Sequence, residues 1–163
     1  MKATSDTTLN FREANQNDLQ QLLELEQCVI TAERPFNSSI KSGRTRYYDL
    51  QSLISSSNTH LLVVEYSGRI IGTGYAQIRE SKSSLDHDKH SYLGFMYVTP
   101  EHRGKGINQQ IVDGLIVWSK RKGVDDVYLD VYSQNRQAIR AYEKSGFEPC
   151  LVEMKLATQE GHK

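Results

Sequence analysis

Proline and cysteine are scarce in this chain of 163 residues: three prolines and two cysteines. The cysteines, Cys28 and Cys150, are too far apart to form a metal-type spacing. Each lies inside an apolar run, which predicts buried free thiols in a reducing compartment rather than a disulfide. Long hydrophobic runs are missing too. No stretch reaches the roughly 18 apolar residues of a membrane span. The opening residues "MKATSDTTLN" hold no apolar segment to act as a secretory signal. Nor is there an excess of either charge, because 20 Lys and Arg balance 20 Asp and Glu. That argues against bulk attraction to nucleic acid or an anionic membrane, though not against a local basic patch. The expectation is a soluble cytoplasmic protein, monomer or homodimer, with neither nucleic acid nor membrane as partner. No repeat, linker or low-complexity tract divides the chain. One domain over 1–163 is expected, with a core at about 8–157 and a polar tail at 158–163. This length suffices for a real hydrophobic core.

The patterning gives an order of elements. Thr8 to Ala14 reads as a short strand. Leu19, Leu22, Leu23, Leu25, Val29 and Ile30 then follow a helical spacing, with Asn17 or Asp18 as the cap. "RPFNSSIKSGRTR", punctuated by Pro35 and Gly43, is a loop, and "YYDLQSLISSS" a second, shorter helix. "HLLVVEY" and "RIIGTGYAQI" flank the turn residues Ser67 and Gly68 as a hairpin. "ESKSSLDHDKH" is a polar loop before the strand "SYLGFMYV". Beyond Pro100, Ile107, Ile111, Leu115 and Trp118 share one helical face, and Lys120, Arg121, Lys122 and Gly123 close that helix. "DVYLDVY" alternates as a strand at Val127, Leu129 and Val131. "NRQAIRAYEKSG" is a helix between Asn135 and Gly146, and "FEPCLVEMKLA" a last strand with a break at Pro149. The order β-α-α-β-β-β-α-β-α-β predicts an α+β fold with a mixed central sheet flanked by helices.

One stretch carries chemistry on its face: "EHRGKGINQQ", residues 101–110. A glycine-rich turn between strand and helix makes an anion site, because the first helical N–H groups have no partner and carry the positive end of the dipole. Glycines let a phosphate approach the backbone, and Arg103 and Lys105 add charge. A tight turn with solvated cations fits the same four residues equally well. A P-loop is excluded, since the lysine precedes the second glycine and no Ser or Thr follows. A dinucleotide fingerprint is excluded by the missing third glycine in "GKGINQ".

Two spaced motifs, in order, resemble those of the GNAT acyl-CoA N-acyltransferases. The first is "YVTPEHRGKGIN", with Val98, Pro100, Glu101, Arg103 and Gly106 in place, and Asn108 where the family has Gly or Ala. The second is "NRQAIRAYEKSGF", with Asn135, Ala138, Tyr142, Gly146 and Phe147 in place. The element order fits the family from end to end. The resemblance implies acetyl-CoA as co-substrate and no metal. It places the pyrophosphate on Arg103, Gly104, Lys105, Gly106, Ile107 and Asn108. It runs pantetheine beside Met96, Tyr97 and Val98 like an added strand, with a main-chain N–H near Met96 as oxyanion donor. Asn135, Ala138 and Tyr142 are three and four residues apart and share one helical face. On the resemblance, Asn135 binds the pantetheine arm, Ala138 lets it pass, and Tyr142 stabilises the leaving thiolate as hydrogen-bond donor or general acid. With a free phenol near pKa 10 and a thiol near 8.5, full proton transfer is uphill by roughly 2 kcal/mol.

Family members often place a Glu or His near the start of the strand before the glycine loop. Tyr92 holds that position here, two residues after His90 on the same strand face. Tyr92, His90 and Glu65 are the base candidates, with a solvated loop as the alternative setting for His90. Selectivity is expected from the loop after the first helix, where Glu33, Phe36 and Tyr47 are candidate substrate contacts. Its cations Lys41, Arg44 and Arg46 face either an acidic group on the substrate or water. Only about ten residues separate Phe147 from the polar tail, which leaves no room for a closing hairpin and favours a small amine over a protein. The expected function is transfer of an acetyl group from acetyl-CoA to a primary amine by direct attack in a ternary complex. The alternatives are a non-catalytic acyl-CoA-binding or regulatory module, or a protein lysine or N-terminal acetyltransferase.

Overall fold

The computed structural model describes residues 8–159. Five strands form one sheet in sequential order: β1 (Asn10–Glu13), β2 (Thr59–Tyr66), β3 (Arg69–Glu80), β4 (Lys89–Val98) and β5 (Val127–Leu129). Neighbours are antiparallel except β4 and β5, which are parallel, so the sheet is mixed. The helices are α1 (Leu19–Glu33), α2 (Leu50–Ser55), α3 (Ile107–Arg121) and α4 (Arg136–Lys144). The fold is α+β in a single domain, and its first nine elements follow the expected order.

Both faces of the sheet are covered. β2 shows why "LLVV" is continuously apolar: Leu61 and Val63 point to α1 and α2, Leu62 and Val64 to α3. The first layer packs Leu22, Leu25, Val29, Leu50 and Leu53 against the sheet, and the second packs Ile107, Ile111 and Leu115. The α3 helix begins at Ile107 and its stop is as expected, with Gly123 at φ 77° just beyond it.

Within the α1 face lies one charged residue. Glu26 is fully buried among leucines. Its carboxylate accepts from Arg46 Nε (3.0 Å) and from the backbone N–H groups of Tyr47 (3.1 Å) and Tyr48 (2.9 Å). Four neighbouring apolar positions on α1 disguise it in the sequence. Arg46 is thereby spent on the fold, and Arg44 makes a looser contact with Glu24 at 3.6 Å.

Four expectations are corrected. The α1 entry is capped by Asn15, which accepts from the N–H of Asn17 while Asp18 accepts from the N–H of Asn15; a short 3-10 turn, Gln16–Asp18, precedes the α-helix. The strand after α3 keeps only Val127–Leu129, because β4 bulges beyond Leu93 and offers no further partner. Residues 147–157 do not form the tenth element; they are extended but pair with no strand among the described residues. Pro149 deprives that segment of a donor at its start, and four of its apolar residues lie in solvent. The thiols of Cys28 and Cys150 are free but exposed, since Cys28 falls on the outward face of α1 and Cys150 on the unpaired segment.

Glu26→Ala should cost about 1–3 kcal/mol, because it leaves the amides of Tyr47 and Tyr48 without their acceptor, while the half-exposed Arg46 returns to water. Urea denaturation of the variant beside the parent checks this; a loss under 1 kcal/mol would mean that the loop is held by its aromatic contacts instead.

Candidate active site

The site begins with an extra residue in β4. Tyr75 faces Gly94 and Thr73 faces Tyr97, so Phe95 and Met96 stand against Gly74 alone. That is a β-bulge, and it re-aims the strand. Two glycines permit it. A Cβ on Gly94 would lie 2.4 Å from the Tyr75 ring, and one on Gly74 would lie 2.8 Å from Met96 Sδ and 2.6 Å from Ile111 Cγ2. Phe95 takes the left-handed φ of 53°, which costs a residue with a Cβ. The buried Thr73 hydroxyl repays part of that by donating to the Phe95 carbonyl at 2.8 Å. Past Leu93 and Leu129 the parallel pairing of β4 and β5 stops. A gap therefore opens between β4 from Gly94 to Val98 and the chain that leads into α4.

The glycine loop closes one end of the gap. After a 3-10 turn at Pro100–His102, Gly104 and Gly106 both take φ 77°, and the place of a Cβ at either is open space. No side chain caps the N-terminus of α3. Arg103 Nε donates to the Val98 carbonyl (2.9 Å), and its guanidinium carbon lies 5.3 Å from the centre of the Tyr97 ring. Lys105 is exposed. Asn108 sits in the first turn of α3 with helical backbone, so its Cβ causes no strain there. These features fit a pyrophosphate: open amides, two cations and no obstructing side chain.

The second motif lines the other wall. Asn135 caps α4 through its side-chain oxygen, which accepts from Ala138 N–H at 3.3 Å. Tyr142 packs edge-on against Phe147, ring centres 5.9 Å apart. Its hydroxyl makes no hydrogen bond among the described residues. Burial, reinforced by the charge of Glu33, pushes the Tyr142 phenol up to about 12. Ser145 Oγ donates to Gln109 at 2.7 Å, which ties the end of α4 to the start of α3.

Opposite these walls stands the loop between α1 and α2. Phe36 stacks on Tyr132 (6.1 Å), and Asn37 donates to the Tyr132 hydroxyl (3.0 Å). Tyr48 stacks on Phe95 of the bulge at 4.8 Å and meets Tyr75 edge-on. Beside them is a cleft of about 190 Å³, lined by Tyr47, Tyr48, Asp49, Ser52, Tyr75 and Gln77. Glu33 ends α1 here. Burial raises its pKa above the ordinary carboxylate range, and the Tyr47 hydroxyl lowers it in part. That hydroxyl is buried without a partner at full hydrogen-bond geometry. The contact with Glu33 is therefore loose, although Tyr47, Tyr48 and Tyr142 all sense its charge.

Of the three base candidates from the sequence, Tyr92 borders the cleft through Tyr75, ring centres 6.4 Å apart, while His90 and Glu65 stand farther off. Tyr92 donates its hydroxyl to Asp130 (2.9 Å) beneath the Arg79 guanidinium, and burial raises its pKa. It is a donor there. His90 bonds to Ser81 (2.9 Å), burial and His87 lower its pKa, and it lies about 13 Å along the strand from Gly94. Glu65 pairs with Arg12 (2.9 Å) on β2, two strands from β4. Glu33, named as a substrate contact, is the carboxylate whose charge reaches both Tyr47 of the cleft and Tyr142. Among the described residues, no three His, Cys, Asp or Glu side chains gather as metal ligands.

The model of the acetyltransferase (GNAT) family matches residues 20–147. The chain belongs to this family. In sequence, this GNAT domain is 30% identical over 105 residues to the L-methionine sulfoximine/L-methionine sulfone acetyltransferase of Salmonella typhimurium, covering 64% of this chain and 58% of that protein. The chain spans between 25% and 61% of the length of the first curated relatives that it matches. In structure, it resembles a variant of the BH1408 protein from Bacillus halodurans at TM-score 0.82 and 22% identity, with 92% of this chain and 99% of that one covered. A predicted acetyltransferase from Clostridium acetobutylicum, solved with acetyl-CoA, superposes at TM-score 0.72 and 19% identity, covering 96% and 100%. At these identities the structural likenesses establish the fold.

Gly106→Glu puts a carboxylate on the open rim of the loop and strains a left-handed backbone position. CoA affinity measured by calorimetry should fall by about tenfold or more, and parental affinity should weaken as salt rises. An unchanged affinity in the folded variant would remove the loop from the site.

Proposed function

We propose that the protein transfers an acetyl group from acetyl-CoA to the primary amine of a small molecule, by direct attack within a ternary complex. The observation that carries this reading is Tyr142. Its phenol is held protonated, its hydroxyl without a hydrogen bond among the described residues, on the wall of the gap where β4 and β5 part. The amine nitrogen attacks the thioester carbonyl carbon. The C–N bond forms, the C–S bond breaks, CoA leaves as thiolate, and the nitrogen sheds its second proton to give the neutral amide, that proton ending on the thiolate. A main-chain N–H near Met96 receives the developing oxyanion. With Tyr142 near 12 and a thiol near 8.5, full proton transfer would be uphill by roughly 5 kcal/mol, so Tyr142 acts as a hydrogen-bond donor to the sulfur.

The proton has to come off the incoming ammonium, whose pKa is about 10.4. Glu33 is the group suited to take it: a carboxylate beside the cleft residue Tyr47, with a pKa raised by burial and a charge that reaches Tyr142. As an anion it also attracts the ammonium before attack. The size of the cleft, closed on two sides by Tyr47, Tyr48 and Tyr75, suits a small amine. The substrates for which the Salmonella relative is named are amino-acid derivatives, which supports an α-amino or similar compact amine as acceptor.

Steady-state kinetics on an amine panel, following thiol release, tests both roles. Tyr142→Phe should lower kcat and kcat/KM together by roughly 10² while CoA affinity and Tm hold. Full activity in that variant would sink the thiolate role. Glu33→Gln should lower kcat/KM by about 10² or more. In the parent, kcat/KM should fall as pH drops through the raised Glu33 pKa, because the base works only deprotonated; the variant should lose that acid limb. An identical acid limb in Glu33→Gln would assign the base elsewhere.

A further inference from the structure

Tyr75, Gln77 and Arg79 are alternate residues of β3, so their side chains share one face of the sheet. Tyr75 and Gln77 line the cleft, and Arg79 stands at its outer end. Arg79 is exposed, but its side chain is not loose. Its Nε donates to Gln77 Oε1 (2.8 Å), and its guanidinium carbon lies 3.9 Å from the centre of the Tyr92 ring. Gln77 and Tyr92 face each other across β3 and β4, one step nearer the bulge than Arg79. The guanidinium is therefore bent back toward the bulge. Tyr75 fills the remaining distance. Its ring centre is 6.4 Å from that of Tyr92, and its hydroxyl lies 2.4 Å from the place of a Cβ on Gly94. Burial raises the pKa of the Tyr75 phenol, and the nearby Arg79 charge lowers it in part.

A guanidinium held in this way is a ready partner for a carboxylate, and among the described residues it has none. Asp130, the acid beside it, accepts from the Tyr92 hydroxyl instead (2.9 Å). Neither Nη of Arg79 makes a hydrogen bond at full geometry. The arginines of the loop after α1 are committed. Arg34 donates to the carbonyls of Lys41 (2.9 Å) and Gly43 (2.7 Å), Arg44 leans on Glu24, and Arg46 serves Glu26. Arg79 is thus the oriented cation that an acid group on the cleft floor would meet.

We propose that Arg79 is the carboxylate anchor of the acceptor, which makes the substrate an α-amino acid. The inference rests on the acetyl-transfer reading above and narrows its acceptor. The two Nη groups meet the two carboxylate oxygens, Gln77 fixes the fork through Nε, and the Tyr92 ring supports its face. The α-nitrogen, on the carbon next to the carboxylate, then projects past Tyr75 toward Gly94 and the bulge. An amine without an acid group leaves the fork unanswered.

The probes are a panel of L-amino acids, L-methionine sulfone among them, each beside its α-amide. In steady-state kinetics the parent should favour the acid of the best pair by roughly 10-fold to 10²-fold in kcat/KM, the scale of hydrogen bonds to a charged group. Arg79→Gln should erase that preference by raising KM for the acid more than by lowering kcat. Arg79→Lys should restore part of it, because it keeps the charge and loses the fork. CoA affinity by calorimetry controls for folding. Titration of the CoA-loaded protein with the same pairs reads the anchor without turnover, and the acid should again bind more tightly. Acids and amides acetylated equally well, or an equal loss on both in Arg79→Gln, overturn the anchor and leave the transfer reading standing. Should no pair be acetylated, the transfer reading fails and the titration decides: a preference for the acid that Arg79→Gln abolishes upholds the anchor, and equal binding of acid and amide overturns it.

Discussion

Glu26 is expensive to bury. A carboxylate taken out of water among leucines loses its hydration, and only close partners offset that loss. It has three: Arg46 and the amides of Tyr47 and Tyr48. Those partners fix the loop after α1 at one point. From there the constraint passes outward through packing. Tyr48 lies flat on Phe95, Phe95 is the residue forced out by the bulge, and the bulge is what parts β4 from β5. A leucine at position 26 would be easier to bury and would leave the loop unplaced. The charge is kept for register.

The same helix carries the second carboxylate that matters. Glu33 lies two turns beyond Glu26, on the same side of α1 and about 10 Å along its axis. One carboxylate is saturated with donors and serves the fold; the other is short of them and has a raised pKa. Partners, rather than residue type, separate the two roles. Tyr92 and Tyr142 divide in the same way. Both phenols are raised by burial, but Tyr92 is committed to Asp130, while Tyr142 is free to donate to a ligand.

What could be read from the sequence follows from how local each feature is. The glycine loop and the Asn135–Tyr142 spacing are encoded within about ten residues each, and both lie where those spacings imply. Helical periodicity gave α1 and α3 for the same reason. The length of β5 could not be read, because "DVYLDVY" alternates well; the pairing ends at Leu129 through a bulge in another strand. Likewise "LVEMKLA" has the pattern of a strand, but pattern does not supply a neighbour. The base was sought on β4 by position along the chain. Glu33 comes beside Tyr47 and within electrostatic reach of Tyr142 only through the way α1 lies against the sheet, which spacing does not reveal. Glu26 left one trace: a charge on the apolar stripe between Leu22 and Val29.

The lightly packed α4 has a thermodynamic consequence. A helix of nine residues is below the length at which helices persist alone in water, and this one has no fully buried side chain to hold it. Its order rests on a cap at Asn135, a single hydroxyl link from Ser145 to Gln109 and the edge of Phe147. It therefore belongs to the least protected part of the molecule, where opening is cheap. A ligand that enters the gap beside it has to hold the helix still as it binds. Such a ligand binds with less net affinity than its contacts imply, since it must also freeze the helix.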